Sequence, residues 1–428
     1  VSRKRRAAND TTTRVVVHDF SGHPFQAQLA RSLARRGVEV THVYCSSFQT
    51  PHGAVGDGAG IGFSSVGIGL RRDFSKYSAI RRAMQEVEYG WRFTREMGRV
   101  SPHVVISANA PLISAFVLQV GLRLRRTPVV FWQQDIYSTA LSQHFEKQGG
   151  SFNRLVGRAF VAIEKWLLRS SSQVVVISED FLGLLDQWGI ATSKVTVVRN
   201  WAPLEEVRVS PRPNPWSERH HITDDQTVLL YAGTLGLKHE PKILLALAKA
   251  FADRPDVRVI VASEGLGANW LAERIDGNEM ELIPFQPYAD LPDMLGSGDV
   301  LLVLLEPDAG VYSVPSKVLT YHCAGRAILG AIPRENLAAR TIESNGAGIV
   351  VDPGDADGFV SAARTLIDET GPRIRMGEAA REAAERNFDI DRITDEFVDV
   401  LASALGHPIV GLAAGPGERI ADESPAPC

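Results

Sequence analysis

Cysteine is scarce in this chain: Cys45, Cys323 and Cys428 are the only thiols in 428 residues. Odd in number and widely separated, they exclude a disulfide framework and a thiolate metal site, and point to a reducing compartment. Long apolar runs are missing too. The longest uncharged stretch, Val104 to Leu122, is broken by Asn109, Pro111 and Gln119 and reads as strand, loop and buried helix rather than a membrane span. The basic start VSRKRRAANDTTT has no apolar core behind it, so it reads as a disordered cytoplasmic tail and not as a secretory signal. Neither a Walker A loop, a GxGxxG fingerprint, a Ser/His/Asp or Cys/His order, nor a solenoid-length repeat is legible. The acidic pairs Asp355/Asp357 and Asp389/Asp391 imitate a metal-binding DxD but read as polar helix starts, and no metal ligands are expected.

What is present is ordinary for a soluble globular protein, with 44% hydrophobic and 22% charged residues, in a length that predicts two domains. Charge is divided unevenly. Residues 1–200 carry 26 Lys+Arg against 14 Asp+Glu, a net +12, and the remainder 20 against 36, a net −16. A basic half suits an anionic surface or substrate, although compositional drift between domains gives the same numbers.

Short β-rich runs alternate with helical stretches throughout. RVVVH, VEVTHVY, a Gly-rich loop, HVVIS, PVVFW, QVVVIS and VTVV mark a first sheet, and TVLLYA, DVRVIVA, MELIPF, DVLLVLL, RAILGA and AGIVV a second. Strands without strict polar alternation, separated by amphipathic helices, predict parallel sheets covered on both faces. The fold class is α/β, with two Rossmann-like doubly wound domains facing across a cleft. Expected segments are a disordered tail over 1–13, a domain over 14–200, a second over 201–388, a helix over 389–405 and a mobile tail over 406–428. The Pro- and charge-rich stretch Arg199 to His220 forms the joint.

Ligands of open parallel sheets sit at the carboxyl ends of the strands, which selects the candidate site. In YAGTLGLKHEPKILLAL, Gly233 and Gly236 allow close backbone approach, Lys238 adds charge, and the helix starting near Pro241 offers free N–H donors to an anion. In DVLLVLLEPDAGVYSVPSKVLTYHCAG, Pro315 opens a helix with Ser316 and Lys317 in its first turn, where the helix dipole disfavours a lysine unless an anion neutralises it. Two such helix starts suit a diphosphate. On the first sheet, Gly22 and His23 precede the helix at Pro24, while Asn109 and the pair Gln134–Asp135 follow two further strands. Asp135 is a candidate to orient or deprotonate an acceptor hydroxyl, or else a helix N-cap. The stretch Arg71 to Arg99 reads as a long basic helix with Phe74, Tyr77, Tyr89, Trp91 and Phe93. It suits either an anionic membrane surface or a domain core, whereas no nucleic-acid motif accompanies its charge.

These stretches carry a resemblance. VVRNWAPLEEV resembles the interdomain joint of bacterial glycosyltransferase family 4, and YAGTLGLK with VPSKVLTYHCAGRAIL its donor site. FSGHPFQAQLARSLARRGVEV, FWQQDIYS and QVVVISEDFLGLL are similar to its first-domain motifs, and the likeness is greatest to transferases of the capsule, colanic-acid and O-antigen type. The resemblance implies a GT-B fold, an acceptor-side first domain, a second domain holding a UDP- or GDP-linked sugar, a last helix (DRITDEFVDVLASAL) that crosses back to the first domain, retention of anomeric configuration and no required metal or other cofactor. It implies that Gly233, Thr234 and Lys238 hold the diphosphate, with Thr234 standing where the family has an arginine. Gly22, Ser316 and Lys317 are candidates for the rest of that grip. Two family glutamates, eight apart, fall on Tyr312 and Thr320 when counted back from Gly325, or the first on Asp308 when counted forward from Asp299, so their contacts do not carry over.

The expected function is sugar transfer from a nucleotide-diphosphate sugar to an acceptor hydroxyl, on a lipid-linked glycan of cell-surface polysaccharide biosynthesis or on a small natural product. The location is cytoplasmic, peripheral on the inner leaflet. Lys238, Asp135 and Asn109 are the catalytic candidates; Asp308, Gly310, Val311, Tyr312 and Ser313 face the sugar; Glu264, Phe285 and Thr320 lie near the nucleoside; His23 and Gln134 stand on the acceptor side. Two rivals remain: a nucleotide-sugar 2-epimerase and a non-catalytic sugar-nucleotide binding protein.

Overall fold

The computed structural model describes residues 12–47, 62–72, 79–236, 239–275, 279–307, 310–312 and 314–412. Its chain divides into two compact units. One comprises residues up to Ile177 with Gly183–Val198 and everything from Ile390; the other comprises Ser178–Leu182 and Arg199–Asp389.

The first unit contains β1 (Arg14–Asp19), α1 (Pro24–Arg35), β2 (Glu39–Cys45), β3 (Phe63–Ile68), α2 (Ala79–Val100), β4 (Val104–Ala108), α3 (Leu112–Leu124), β5 (Val129–Gln133), α4 (Tyr137–Gln148), α5 (Ser151–Ser170) and β6 (Gln173–Val176). The short α6 (Leu182–Gln187) and β7 (Val195–Val197) follow. All seven strands are parallel, in the order β3-β2-β1-β4-β5-β6-β7. The order reverses between β1 and β4, where adjacent crossovers leave opposite faces of the sheet and open a crevice at the carboxyl ends.

The second unit contains α7 (Pro215–Arg219), β8 (Thr227–Ala232), α8 (Pro241–Ala250), β9 (Val257–Ala262), α9 (Leu266–Ala272), β10 (Glu281–Ile283), α10 (Leu291–Ser297), β11 (Val300–Leu304), α11 (Lys317–Ala324), β12 (Ala327–Ala331), α12 (Leu337–Ser344), β13 (Gly348–Val351), α13 (Ala356–Asp368) and α14 (Thr370–Asn387). Its six parallel strands run β10-β9-β8-β11-β12-β13, with the reversal between β8 and β11. Leu229, Tyr231, Val259, Val261, Leu302 and Leu329 alternate onto one face and join Leu244, Leu247 and Phe359 in a buried core, which is why these strands read as continuous apolar runs.

The last helix, α15 (Ile390–Leu405), belongs to the first unit. Phe397 is fully buried with its ring 4.8 Å from that of Trp132, Thr394 donates to Ser32 at 2.9 Å, and Arg36 pairs with Asp395. Of the DxD-like pairs, Asp355 caps α13 by accepting from the Gly358 N–H at 2.8 Å, and Asp391 lies in the first turn of α15.

Two sequence expectations change. The Gly-rich stretch after β2 is not all loop, because residues 63–68 form the edge strand β3, in register Val40↔Phe63. An edge strand needs only one neighbour, so FSSVGI lacks the apolar density that betrays the central strands. The basic helix starts at Ala79 and not Arg71; Arg71 and Arg72 form a bend, and Phe74 and Tyr77 lie outside the described residues.

Candidate active site

The switch point of the second sheet gathers a cation. β8 is followed by Gly233, whose φ of +130° is strained for residues with a side chain; a Cβ there would also stand 3.1 Å from Lys317 Nζ. Tyr231 fixes the turn by donating its hydroxyl to the Thr234 carbonyl at 3.0 Å. The Leu235 N–H donates to the Ser263 hydroxyl at 3.1 Å and the Glu264 carbonyl at 3.2 Å. Tyr321, from α11, accepts from the Ala232 N–H and donates to the Ala232 carbonyl, each at 3.1 Å.

Lys317 opens α11. The residue as a whole is half-buried, but its ammonium is sealed from solvent, lies 3.8 Å from the Tyr231 ring centroid and has no hydrogen-bond partner among the described residues. Burial pushes its pKa down to about 7. The Tyr231 ring face offsets part of the cost of this cation, and an anion at the helix N-terminus would offset the rest. Gly233→Ala is therefore expected to lower turnover at least tenfold, through both strain and obstruction of Lys317; unchanged kinetics in a folded variant would remove this turn from the site.

Other candidates of this unit are placed as follows. Thr234 and Ser316 are exposed, and Ser316 starts α11 without a side-chain capping bond. Gly310 accepts from Asn336 Nδ2 at 2.6 Å, Val311 is half-buried, and Tyr312 packs its ring 6.1 Å from Phe181. Thr320 lies half-buried on α11, and Glu264 is exposed just after β9. Phe285 is half-buried beyond β10, two strands from β8 and therefore about 10 Å away across the sheet. Lys238, Asp308 and Ser313 lie outside the described residues. The expected free N-terminus of α8 needs correction: Glu240 caps it, accepting from the Lys242 N–H at 3.2 Å, and its carboxylate already compensates the dipole. α11 is the better anion-facing start.

The switch point of the first sheet gathers acid and imidazole. Asp19 ends β1 opposite Ala108, so Asn109, in a left-handed conformation (φ +50°), lies beside the turn Ser21–Gly22–His23. Gly22 also takes positive φ, +75°, which lets Asp19 accept from the N–H groups of Ser21 and His23 and from His23 Nδ1 at 3.0 Å. Asp19 is fully buried. Burial alone would raise its pKa, but the His23 charge and hydrogen bonds bring it down to about 2. For His23, burial opposes the imidazolium, and the Asp19 carboxylate, with a smaller part from Asp135, outweighs it and raises the pKa.

Asp135 follows β5 with Gln134, which is buried; Asn109, Gln134, Asp135 and Tyr137 line a small cavity at this edge. Asp135 is not the helix cap. Glu164 of α5 takes that place, accepting from the N–H groups of Tyr137 at 3.2 Å and Ser138 at 3.0 Å and from Gln133 Nε2 at 2.8 Å. Asp135 is left beside the Tyr137 hydroxyl, whose pKa is raised by burial and then by that carboxylate. Asp19, Tyr137, Glu164, Tyr231 and Tyr321 were not singled out by sequence reasoning. Only Asp19 carried a signal, an acid at a strand end four residues before a histidine.

Two family models match the chain: glycosyl transferase 4-like domain over residues 23–201 and glycosyl transferases group 1 over 214–383. The chain belongs to the family 4-like glycosyltransferases. Among curated relatives, it is 24% identical over 249 residues to a putative colanic acid biosynthesis glycosyl transferase of Escherichia coli, a match covering 57% of this chain and 60% of that one. To the glycogen synthase of Mycobacterium tuberculosis it is 21% identical over 64% of both chains. The chain thus spans under two thirds of the length of the curated relatives it matches. Solved structures share the fold: sucrose-phosphate synthase from Thermosynechococcus elongatus has a TM-score of 0.69 at 13% identity, covering 92% of this chain and 99% of that one. Anabaena HepE, crystallised with UDP-glucose, has a TM-score of 0.65 at 16% identity, covering 91% and 99%. These neighbours place the glycosyltransferase in the GT-B class, with two Rossmann-like domains.

Proposed function

We propose that this glycosyltransferase moves a sugar from a nucleoside-diphosphate sugar to the hydroxyl of a lipid-linked glycan in cell-surface polysaccharide biosynthesis, with retention of configuration and without a metal. The observation that carries the reading is Lys317, whose ammonium, at the carboxyl end of the β8/β11 switch point, has no hydrogen-bond partner among the described residues. A diphosphate supplies the charge it lacks. The co-crystallised UDP-glucose of HepE supports a nucleotide-sugar donor, and the colanic-acid relative supports a surface glycan as acceptor.

In this reading the bond between the anomeric carbon and the donor phosphate oxygen breaks as the acceptor oxygen bonds to that carbon on the same face. Negative charge grows on the departing diphosphate, and Lys317, the amides around Gly233, and Lys238 stabilise it. The acceptor proton passes to the departing phosphate oxygen; Asp135 and Asn109 of the first unit are the candidates to orient an acceptor hydroxyl, with His23 and Gln134 as further acceptor-side candidates. The family's glutamates fall on Tyr312 and Thr320 by one count and the first on Asp308 by the other, so the sugar contacts are assigned to residues 308–313 as a group.

The test is incubation with UDP-, GDP- and dTDP-sugars, with and without lipid extract, with and without chelator. Acceptor-dependent nucleotide release that survives the chelator, with product of the donor's anomeric configuration by NMR, is expected. Isomerised donor without acceptor would establish an epimerase, and binding without conversion a sugar-nucleotide binding protein.

A further inference from the structure

Residues Ile80, Met84, Val87 and Trp91 recur along α2 at the spacing of one helix face, and all four are exposed, Ile80 by 76%. The opposite face, with Tyr89, Phe93 and Met97, is in the core. α2 is therefore apolar on two sides, and one of them has no partner in the described structure.

The exposed side continues onto α3. Close packing fixes the two helices side by side: a Cβ on Gly90 would lie 2.7 Å from that of Val117, and one on Gly121 2.3 Å from the Thr94 side chain. On α3, Ile113 and Val120 are half-buried, Phe116 is exposed and Leu124 is 82% exposed, and no charge occurs on the helix before Arg123. Beyond them, the Phe116 ring lies 5.0 Å from that of Trp166 on α5, a helix that exposes Phe152 and Leu155 farther along. Scattered apolar residues on a surface are normal, but a continuous layer across three neighbouring helices marks a binding face.

The rim decides what binds. Arg81, Arg95 and Arg99 flank the stripe on α2; Arg123, Arg125 and Arg126 crowd the end of α3; Arg154 and Arg158 stand on α5. No acidic residue occurs between Glu96 and Asp135, and the acids of α2 and α5 are ion-paired or buried: Glu88 with Arg92, Glu96 with Arg99, Glu86 with Arg82, and Glu164 under α4. The Arg95 guanidinium lies over the Trp91 ring at 5.9 Å. Aromatic and aliphatic groups bounded by guanidinium groups match a bilayer in which acyl chains lie beneath phosphate. Among the described residues no helix is long and apolar enough to cross a membrane, so such contact lies along the surface.

We propose that the outer faces of α2, α3 and α5 form a docking surface for an anionic phospholipid bilayer, entering it with Trp91, Leu124 and their neighbours.

The full chain is sedimented with sucrose-loaded vesicles of phosphatidylcholine, with and without phosphatidylglycerol. Partitioning is expected to be at least tenfold stronger on the anionic vesicles. Trp91→Ser with Leu124→Ser should weaken it roughly tenfold or more at low and high salt, and Arg95→Gln with Arg99→Gln should weaken it chiefly at low salt. All four positions are exposed, so circular dichroism and Tm should match wild type, and donor binding should be unchanged. Wild-type protein left in the supernatant, or a serine variant that binds as well as wild type, overturns the proposal. So does light scattering that finds a dimer whose formation alone is abolished by the serine substitutions, which would assign the face to a second copy of the chain.

Discussion

Lys317→Met is expected to lower kcat/KM roughly a hundredfold or more, the size of effect seen when one preorganised donor to a developing oxyanion is lost. Donor binding should weaken in parallel while Tm holds or rises. Wild-type Lys317 keeps a sealed ammonium without a hydrogen-bond partner among the described residues, and an apolar chain of similar shape relieves that desolvation. Isothermal titration with a nucleoside diphosphate and a thermal melt separate the two effects. A methionine variant that binds and turns over normally ends the assignment.

The same lysine predicts a pH dependence. Its pKa is about 7 in the free protein against an ordinary 10.5, so above pH 7 the diphosphate must bring a proton with it. Affinity should fall by up to about tenfold per pH unit above 7, until the pKa of the bound state is passed. Stability moves the other way. Below pH 7 the folded protein carries the full burden of a buried ammonium; between about 7 and 10.5 the unfolded chain binds the extra proton, so stability gains from this group as pH rises. Lys317→Met should lack both slopes, and donor affinity that is flat from pH 6 to 9 in the wild type would refute the coupling.

Asp19→Asn is expected to have the second largest effect. The variant loses the carboxylate that closes the Ser21–His23 turn, at a cost of about 2 kcal/mol. That is below the 3–5 typical of a sealed ion pair, because the His23 side chain keeps 39% of its surface exposed. Asp19 is depressed to about 2, so its contribution is present above pH 3.8 and fades as pH falls through 2. His23 is raised, so its contribution is present below 6.5 and is lost as pH rises through its folded value. The pair therefore stabilises most between about pH 4 and 6.5. Urea melts across that window should show the variant's deficit narrowing on either side, and NMR titration should show the His23 pKa falling. A deficit that is constant in pH would mean that packing, not charge, holds the turn.

How much of this was legible in the sequence follows the range of each interaction. Central strands such as TVLLYA and DVLLVLL announce themselves because burial on both faces demands unbroken apolar runs, whereas β3, needing one neighbour, did not. Pro315–Ser316–Lys317 was visible as a helix start with a misplaced lysine. The free N-terminus assigned to α8 was not there, since Glu240, adjacent in sequence, caps it. Asp135 was open in the sequence either as an acceptor-orienting carboxylate or as a helix cap, and the true cap, Glu164, comes from a helix about thirty residues on, a distance at which no local rule applies.

The order of residue types by itself determined the two parallel α/β domains, the family and the strand ends where chemistry belongs, because periodicity and turn residues act over a few positions. Only the folded arrangement decided which of those residues meet. It set Lys317 against Gly233 across the β8/β11 reversal, tied His23 to Asp19, and turned two of α2's three aromatics, Tyr89 and Phe93, inward while leaving Trp91 on the surface. Those outcomes depend on burial and on charge felt through a low dielectric, which are properties of neighbours in space and not of neighbours along the chain.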